Sequence, residues 1–491
     1  MGRQGWVGGA VAAGAAAGTA AAVAGAVAIR RRLAEFVPPA RAVRTHPENP
    51  ARHADAAAAH LGTLVRIPTV SSRVADEVDH EAFELLAKTL QELYPRVFAT
   101  LEVERVSRHA ILARWPGSAS ERPVVLMAHQ DVVPVVADDW HGDPFSGEVR
   151  DGAVWGRGTL DDKGALVVLL EAVESLLAEG FTPRQDVWLS LGDDEEIAGS
   201  SAIAAVDRLR ERGVVPWLVL DEGGAVISGA FPGVEQPVAV VGTTEKGILD
   251  VEISSQADGG HASTPMRGGA TWRLARAITR IEEHPFPASL PAPAREMIDT
   301  LGRYASGPLR SALAYAEPLA PLLAQVFTRI SPETNAMVRT TVVATQLAGS
   351  PGANVVAASA RANLNVRIAP GESVSSVVAH LRRAIDDDEV DLRIVASDEP
   401  SPISPSDGPQ FEAVRDAVGA AYPDAVVTPY VMLAASDARH FTQIAEHVYR
   451  FSPFAMSREQ RESIHGVDEH VSVDALGRGV VFFRALIRSL R

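Results

Sequence analysis

Apolar runs that stop abruptly at acidic or imidazole side chains constrain this chain more than any other feature. The run Pro123-Val124-Val125-Leu126-Met127 leads into Ala128-His129-Gln130-Asp131. Val187-Trp188-Leu189-Ser190-Leu191 leads into Gly192-Asp193-Asp194-Glu195-Glu196, and Trp217-Leu218-Val219-Leu220 into Asp221-Glu222-Gly223-Gly224. A further acidic cluster lies in Gly156-Arg157-Gly158-Thr159-Leu160-Asp161-Asp162-Lys163-Gly164. Short continuous apolar runs read as strands buried on both faces, which belong to parallel sheets with helices on each side. Such sheets place their sites beyond the carboxyl ends of the strands. Side chains two apart on a strand share a face, so His129 and Asp131 project together. A metal-ligating histidine needs a carboxylate behind it, and this spacing offers one. Taken alone, the pair also fits a hydrogen-bonded histidine at a strand end; the acids downstream weigh against that.

Adjacent carboxylates beside buried strands repel one another and resist desolvation. A cation relieves both costs. A second histidine arrives late, in Ser463-Ile464-His465-Gly466-Val467-Asp468-Glu469. Two histidines with several carboxylates suit zinc-like ions, and cysteine, with none in the chain, is absent as a ligand.

These motifs, in this order from His129 to His465, resemble those of the M20 family of dinuclear metallopeptidases. The Asp221-Glu222-Gly223-Gly224 turn resembles the carboxypeptidase S and N-acyl-amino-acid hydrolase branch. The resemblance implies an α/β zinc-peptidase-like catalytic domain with an inserted α+β lid of the dimerisation type. It implies two divalent ions, zinc by expectation, with His129 and Glu222 on one and Glu196 and His465 on the other. Asp161 would bridge them, Asp131 would support His129 from behind, and Glu195 would act as general base. Spacing from Glu196 favours Glu222 over its neighbour Asp221, whose alternative is a hydrogen-bonded turn residue. Asp162 and Asp194 read as part of the polar rim.

The implied reaction is attack of a metal-activated water on an amide carbonyl, with Glu195 moving the proton to the leaving nitrogen. Three further residues carry over. His261, in Gly259-Gly260-His261-Ala262-Ser263-Thr264-Pro265, would stabilise the oxyanion, in relatives often across a dimer interface; its plain alternative is a turn histidine. Asn354 and Arg367 would bind substrate. An arginine fork suits a free carboxylate, although an alternating strand also commonly ends in an exposed arginine. Asp437-Ala438-Arg439-His440 resembles a loop near the family's site and is given no role.

Length and charge agree with this reading. A chain of 491 residues holds two domains with sizeable cores. Its 46 basic and 62 acidic residues give a net charge of −16, with no basic stripe for nucleic acid. Residues 6–29 carry no charge, are rich in Ala, Gly and Val, and are followed by Arg30-Arg31-Arg32. That length spans a bilayer, though Ala and Gly are weakly hydrophobic. An N-terminal membrane anchor (1–32) is the favoured expectation over a cleaved signal peptide or an Ala/Gly tail. The arginines argue for a cytoplasmic flank, whereas the resemblance implies a secreted or lumenal protein. A Pro-containing linker (33–50) follows. The catalytic domain is expected in two segments, 51–242 and 401–491, with the lid (243–400) inserted between them. Residues 308–330 read as helical, within a segment (286–331) longer than a plain lid needs. Its role is either packing or shaping an acyl pocket.

The expectation is therefore a hydrolase of amide bonds whose leaving side bears a free carboxylate, as in C-terminal peptide bonds or N-acyl amino acids. A homodimer through the lid is included in it. The alternatives are a biosynthetic-type deacetylase or desuccinylase, a non-catalytic membrane-tethered binding protein of the same fold, and a dinuclear phosphoesterase. The last would demand more basic groups near the acids than the motifs supply.

Overall fold

The computed structural model describes residues 32, 34–39 and 48–490, apart from 120, 230, 232 and 266. All but the last residue of the expected N-terminal anchor (1–32), and residues 33 and 40–47 of the expected linker, lie outside the described residues. Among those described, no helix is long and apolar enough to cross a membrane.

The apolar runs become the centre of an eight-stranded sheet. Its spatial order is Glu102–Arg105, Ile111–Trp115, Val187–Gly192, Val124–His129, Leu218–Ile227, Val448–Ala455, Val238–Glu245, Val426–Met432. The four strands from Val187–Gly192 to Val448–Ala455 run parallel, and the third leaves its pairing with Val124–His129 after Leu220, so His129, the acids after Gly192 and Asp221-Glu222 come to one edge. Every residue of Val124–His129 and of Val187–Gly192 is buried. Alternate residues serve opposite faces. Val124, Leu126 and Ala128 meet the helices Ala51–Val65, Lys163–Ala178, Pro409–Ala421 and Val473–Ser489. Val125 and Met127 meet Ser201–Glu211 and the short helix Ala438–Phe441. Each fully buried Leu or Val in these layers contributes about 1.5–3 kcal/mol, which makes the sheet a firm base for side chains at its edge.

A second sheet is four-stranded and antiparallel, in the order Thr341–Ala348, Ser359–Ile368, Gly247–Gln256, Val390–Asp398. Along Gly247–Gln256, buried residues alternate with half-buried ones, as a sheet covered on one face requires. The helices Ala270–Glu283 and Val374–Ile385 supply that cover. The second helix opens on a capping box in which Ser373 and Ser376 satisfy each other's backbone N–H groups.

Between these strands the chain makes four helices, Ala292–Tyr304, Gly307–Leu313, Ala320–Ile330 and Pro332–Val338. They pack elsewhere than the rest of the expected lid span. Ala294, Met297, Ile298 and Leu301 join Val238, Val240, Val426 and Val431, at the far edge of the large sheet. The helical stretch expected over 308–330 forms two helices separated by turns at 314–319. Pro318 removes a backbone donor there and restricts the residue before it, which keeps the two helices from joining. Pro321 then sits in the opening turn of the next, where its missing N–H costs nothing.

Candidate metal centre

His129 closes its buried strand with a fully enclosed imidazole. Its Nδ1 donates to the Asp131 carbonyl at 3.0 Å and lies 3.2 Å from Asp131 Oδ1. That leaves Nε2 facing outward, 2.9 Å from Asp161 Oδ1 and 3.6 Å from Glu222 Oε1. The other Asp161 oxygen, Oδ2, lies 3.1 Å from His465 Nε2, and His465 Nε2 is 2.9 Å from Glu196 Oε2. One carboxylate thus faces two imidazoles, one with each oxygen. His465 holds a left-handed backbone conformation (φ 58°), rare for a residue with a Cβ and frequent at functional sites.

The supporting groups are buried. Asp131 accepts the backbone N–H groups of Glu195 and Glu196, each at 3.2 Å, and so ties the end of one strand to the turn after its neighbour. Burial alone would raise the Asp131 carboxyl; hydrogen bonding to His129 holds it below the usual range. Glu469, fully enclosed, accepts from Leu160 N (2.7 Å), Gly158 N (3.1 Å) and Asp161 N (3.2 Å), and from Arg157 Nη1 at 2.6 Å. It shapes the loop that presents Asp161.

Electrostatics mark the centre as a place short of positive charge. Burial, reinforced by Asp161, pushes Glu222 up to about 8. Burial likewise raises Glu195 well above the carboxylate range and raises Glu196. Hydrogen bonding to Asp161 and Glu196 lifts His465 to about 10. His129 is raised too, the surrounding carboxylates outweighing its burial. These shifts have one origin: acids packed together out of water, leaning on protons where a cation would serve better. The donor set fits divalent metal. His129, Asp161 and Glu196, and His129, Asp162 and Glu222, form two groups whose ligand atoms all lie within 4.8 Å of one another. Glu196 Oε1 and Asp162 Oδ1 are buried without a hydrogen-bond partner.

Asp221 and Glu222 diverge as neighbours on a strand must. Glu222 turns to His129, while Asp221 Oδ2 accepts the N–H of Ala438 at 2.8 Å. Asp194 bonds the backbone N–H groups of Ser200 and Ser201 at the start of a helix. Asp162 departs from its expected place on the rim. It is fully buried and accepts the His129 backbone N–H at 3.2 Å, because the turn after Asp161 folds back beneath the sheet end. Asp437, from the loop given no role, is also buried close by; burial and Asp221 push it well up.

The remaining candidates sit away from the large sheet, Arg367 on the four-stranded sheet and His261 and Asn354 at a separate two-stranded pair. His261 lies on the two-residue strand Gly260–His261, paired with Val355, and its Nδ1 accepts from the Ser263 hydroxyl at 2.7 Å. Asn354 is beside it, its carbonyl accepting from Ala262 N at 3.0 Å. Both are exposed. Arg367 is half-buried between Asp250 and Arg439. Among the described residues, no hydrogen bond or ion pair joins these three to the acid–imidazole cluster. Glu469 and Asp437 are the residues that sequence reasoning left without a role. Their only signal was membership of the motifs around His465 and Arg439.

A sheet edge that gathers two histidines and a shared aspartate among buried acids defines a metallohydrolase, and comparison with known proteins agrees. Residues 125–489 match Peptidase family M20/M25/M40, and the chain belongs to this family of hydrolases. It is 32% identical over 440 residues to a probable carboxypeptidase S-like 2 of Dictyostelium discoideum, covering 88% of this chain and 84% of that one. It is 35% identical over 435 residues to the N-fatty-acyl-amino acid synthase/hydrolase PM20D1 of Xenopus tropicalis, covering 87% and 85%. The fold is that of the M20 metallo-carboxypeptidase Sso-CP2 from Sulfolobus solfataricus, with a TM-score of 0.65 at 17% identity over 88% of this chain and 99% of that one. Human carnosine dipeptidase 1 shares it with a TM-score of 0.60 at 16% identity, over 94% and 99%. The four-stranded sheet with its two covering helices is consistent with the dimerisation domain expected from the resemblance.

Proposed function

We propose that this chain is a dinuclear zinc amidohydrolase whose substrates carry a free carboxylate beside the scissile amide. The observation that carries the proposal is Asp161, one oxygen toward His129 and the other toward His465. His129 and Glu222 would hold one ion, His465 and Glu196 the other, and Asp161 both. Bound divalent ions supply the positive charge that acidifies a water and polarises a carbonyl.

The chain's own residues do the rest. Burial raises Glu195; with bound cations offsetting that effect, its carboxylate would take a proton from the attacking water and pass it to the leaving nitrogen. Asp131 fixes both His129 and the backbone of Glu195, keeping base and ligand in register. Arg367 and Asn354 would recognise the substrate carboxylate, and His261 would donate to the oxyanion. Arg367 lies on the four-stranded sheet and His261 and Asn354 at the separate two-stranded pair, so these residues would have to approach the centre in the working state. Closure as a lid, or contribution of His261 from a second copy, achieves this. The relatives' names, carboxypeptidase and N-fatty-acyl-amino acid hydrolase, share an amide with a carboxylate on one side.

The test is a hydrolysis screen with zinc, comparing dipeptides, long-chain acyl amino acids and amidated versions of each. Cleavage of the free acids only is expected; equal cleavage of the amidated substrates sinks the carboxylate reading. Glu195→Gln should keep its metal and lose roughly 10²–10⁴-fold in kcat. A variant of near-normal rate would remove Glu195 as the base.

A further inference from the structure

The helical insert that packs against the far edge of the large sheet presents an apolar stripe to solvent. On the helix Ala320–Ile330, Leu322, Val326 and Ile330 are 60%, 42% and 60% exposed. Their spacing of four places them in one line along the helix. Leu319 at its entrance is also exposed. The opposite side, through Ala324, Leu323 and Phe327, meets the core beneath. Exposed apolar side chains in a continuous line on one helix mark an interaction surface.

Two observations say what covers it. The first is charge. Residues 305–331 contain two arginines, Arg310 and Arg329, and one acid, Glu317, in a chain whose net charge is −16. The stretch itself carries one net positive charge, the sign that favours an anionic surface. The second is where the uncharged stretch 6–29 leads. Arg32 donates from Nε to the Ala314 carbonyl and lies over the Tyr315 ring. The Tyr315 carbonyl in turn accepts the N–H of Leu319, one turn before the stripe. Phe36 is then buried, its carbonyl accepting from Arg310 and its ring beneath Arg303. Arg32 therefore sits beside the apolar helix, and in the sequence it follows the 24-residue uncharged stretch by three positions.

We propose that Leu319, Leu322, Val326 and Ile330 form a membrane-docking face, seated in the interfacial region of a lipid bilayer next to the N-terminal segment. The segment brings the protein to the surface, and the helix fixes its orientation there. A helix with apolar residues on one side and arginines nearby lies in the headgroup boundary rather than crossing it. This inference does not rest on the amidohydrolase reading.

The absence of cysteine allows a clean test in the full chain. Leu322→Cys and Val326→Cys, each labelled with an environment-sensitive dye, are mixed with phosphatidylcholine vesicles with and without phosphatidylglycerol. Val215→Cys, exposed elsewhere on the molecule, is the control. The expected result is a blue shift at 322 and 326 on adding vesicles, larger with the anionic lipid, and none at 215. A dye at 322 already blue-shifted without vesicles and unmoved by them would show that the chain's own N-terminal segment or a second copy covers the stripe. That outcome overturns the proposal. So does a vesicle-bound protein whose dyes all stay in water, or a shift equal at all three positions. As a second arm, the triple variant Leu322→Glu, Val326→Glu, Ile330→Glu should keep the parent melting temperature and bind vesicles about tenfold more weakly. Unchanged binding overturns the proposal.

Discussion

Glu469 holds no ligand atom toward the centre, yet the position of Asp161 depends on it. Its two oxygens take three backbone N–H groups of the loop 158–161 and the guanidinium of Arg157, and both partners of this ion pair are buried. Removing one partner of a buried ion pair leaves the other charge uncompensated, which costs about 3–5 kcal/mol. Glu469→Ala should therefore lower stability by that order in denaturant unfolding and also reduce metal content, because the Asp161 loop loses its frame. A variant with parent stability and full metal would show that the loop is held by other means. The sequence placed Glu469 inside a motif without a role for it, and the reason is physical. Its partners are more than 300 positions away in the chain, and nothing local to Glu469 signals them. Asp162 teaches the same lesson from the other side. A charge next to a site usually faces water, and only the fold shows that this one lies beneath it.

At the scale of elements, more could be read in advance. Strands buried on both faces write themselves as apolar runs, and a parallel sheet must place their ends at one edge. This is why the gathering of His129, Glu196 and Glu222 follows from pattern alone once the strands are assigned. The smaller sheet shows its one covered face by alternation along Gly247–Gln256. The four helices between Ala292 and Val338 were harder to place. An amphipathic helix records that one side is buried, not against what, and these pack on the large sheet rather than the small one. Arg367 belongs to this scale because its strand, Ser359–Ile368, pairs with the strand that enters the smaller sheet, Gly247–Gln256. Any movement of that sheet carries Arg367 with it. Arg367→Ala should raise KM for substrates with a free carboxylate by roughly tenfold to a hundredfold, the loss of a charge-assisted hydrogen bond of about 1.5–3 kcal/mol, with a smaller effect on kcat. Steady-state kinetics on acid and amidated substrates checks this. An equal rise for both would place Arg367 in the scaffold instead.

For the whole molecule, the acid cluster stands against folding unless something neutralises it. Glu195 and Glu196 come from the turn after one strand, Glu222 from within another, Asp161 from a loop and His465 from a turn near the C-terminus, so the centre ties together regions that are distant in the chain. Burial and mutual repulsion raise most of these acids, and that shift is the signature of a folded state that disfavours their charge. A divalent cation bound only by the folded form reverses the penalty. At a free concentration one hundred times Kd, one site stabilises by about 2.7 kcal/mol. Stripping metal with a chelator should therefore lower the melting temperature by several degrees, and zinc should restore it. His465→Ala should bind one ion fewer per chain by elemental analysis and recover only a fraction of the zinc-dependent shift, since His129, Glu222 and Asp161 are left for the other. If zinc leaves the melting temperature of the parent chain unmoved, the histidines and acids at the sheet edge are not a metal centre, and the amidohydrolase proposal falls with it.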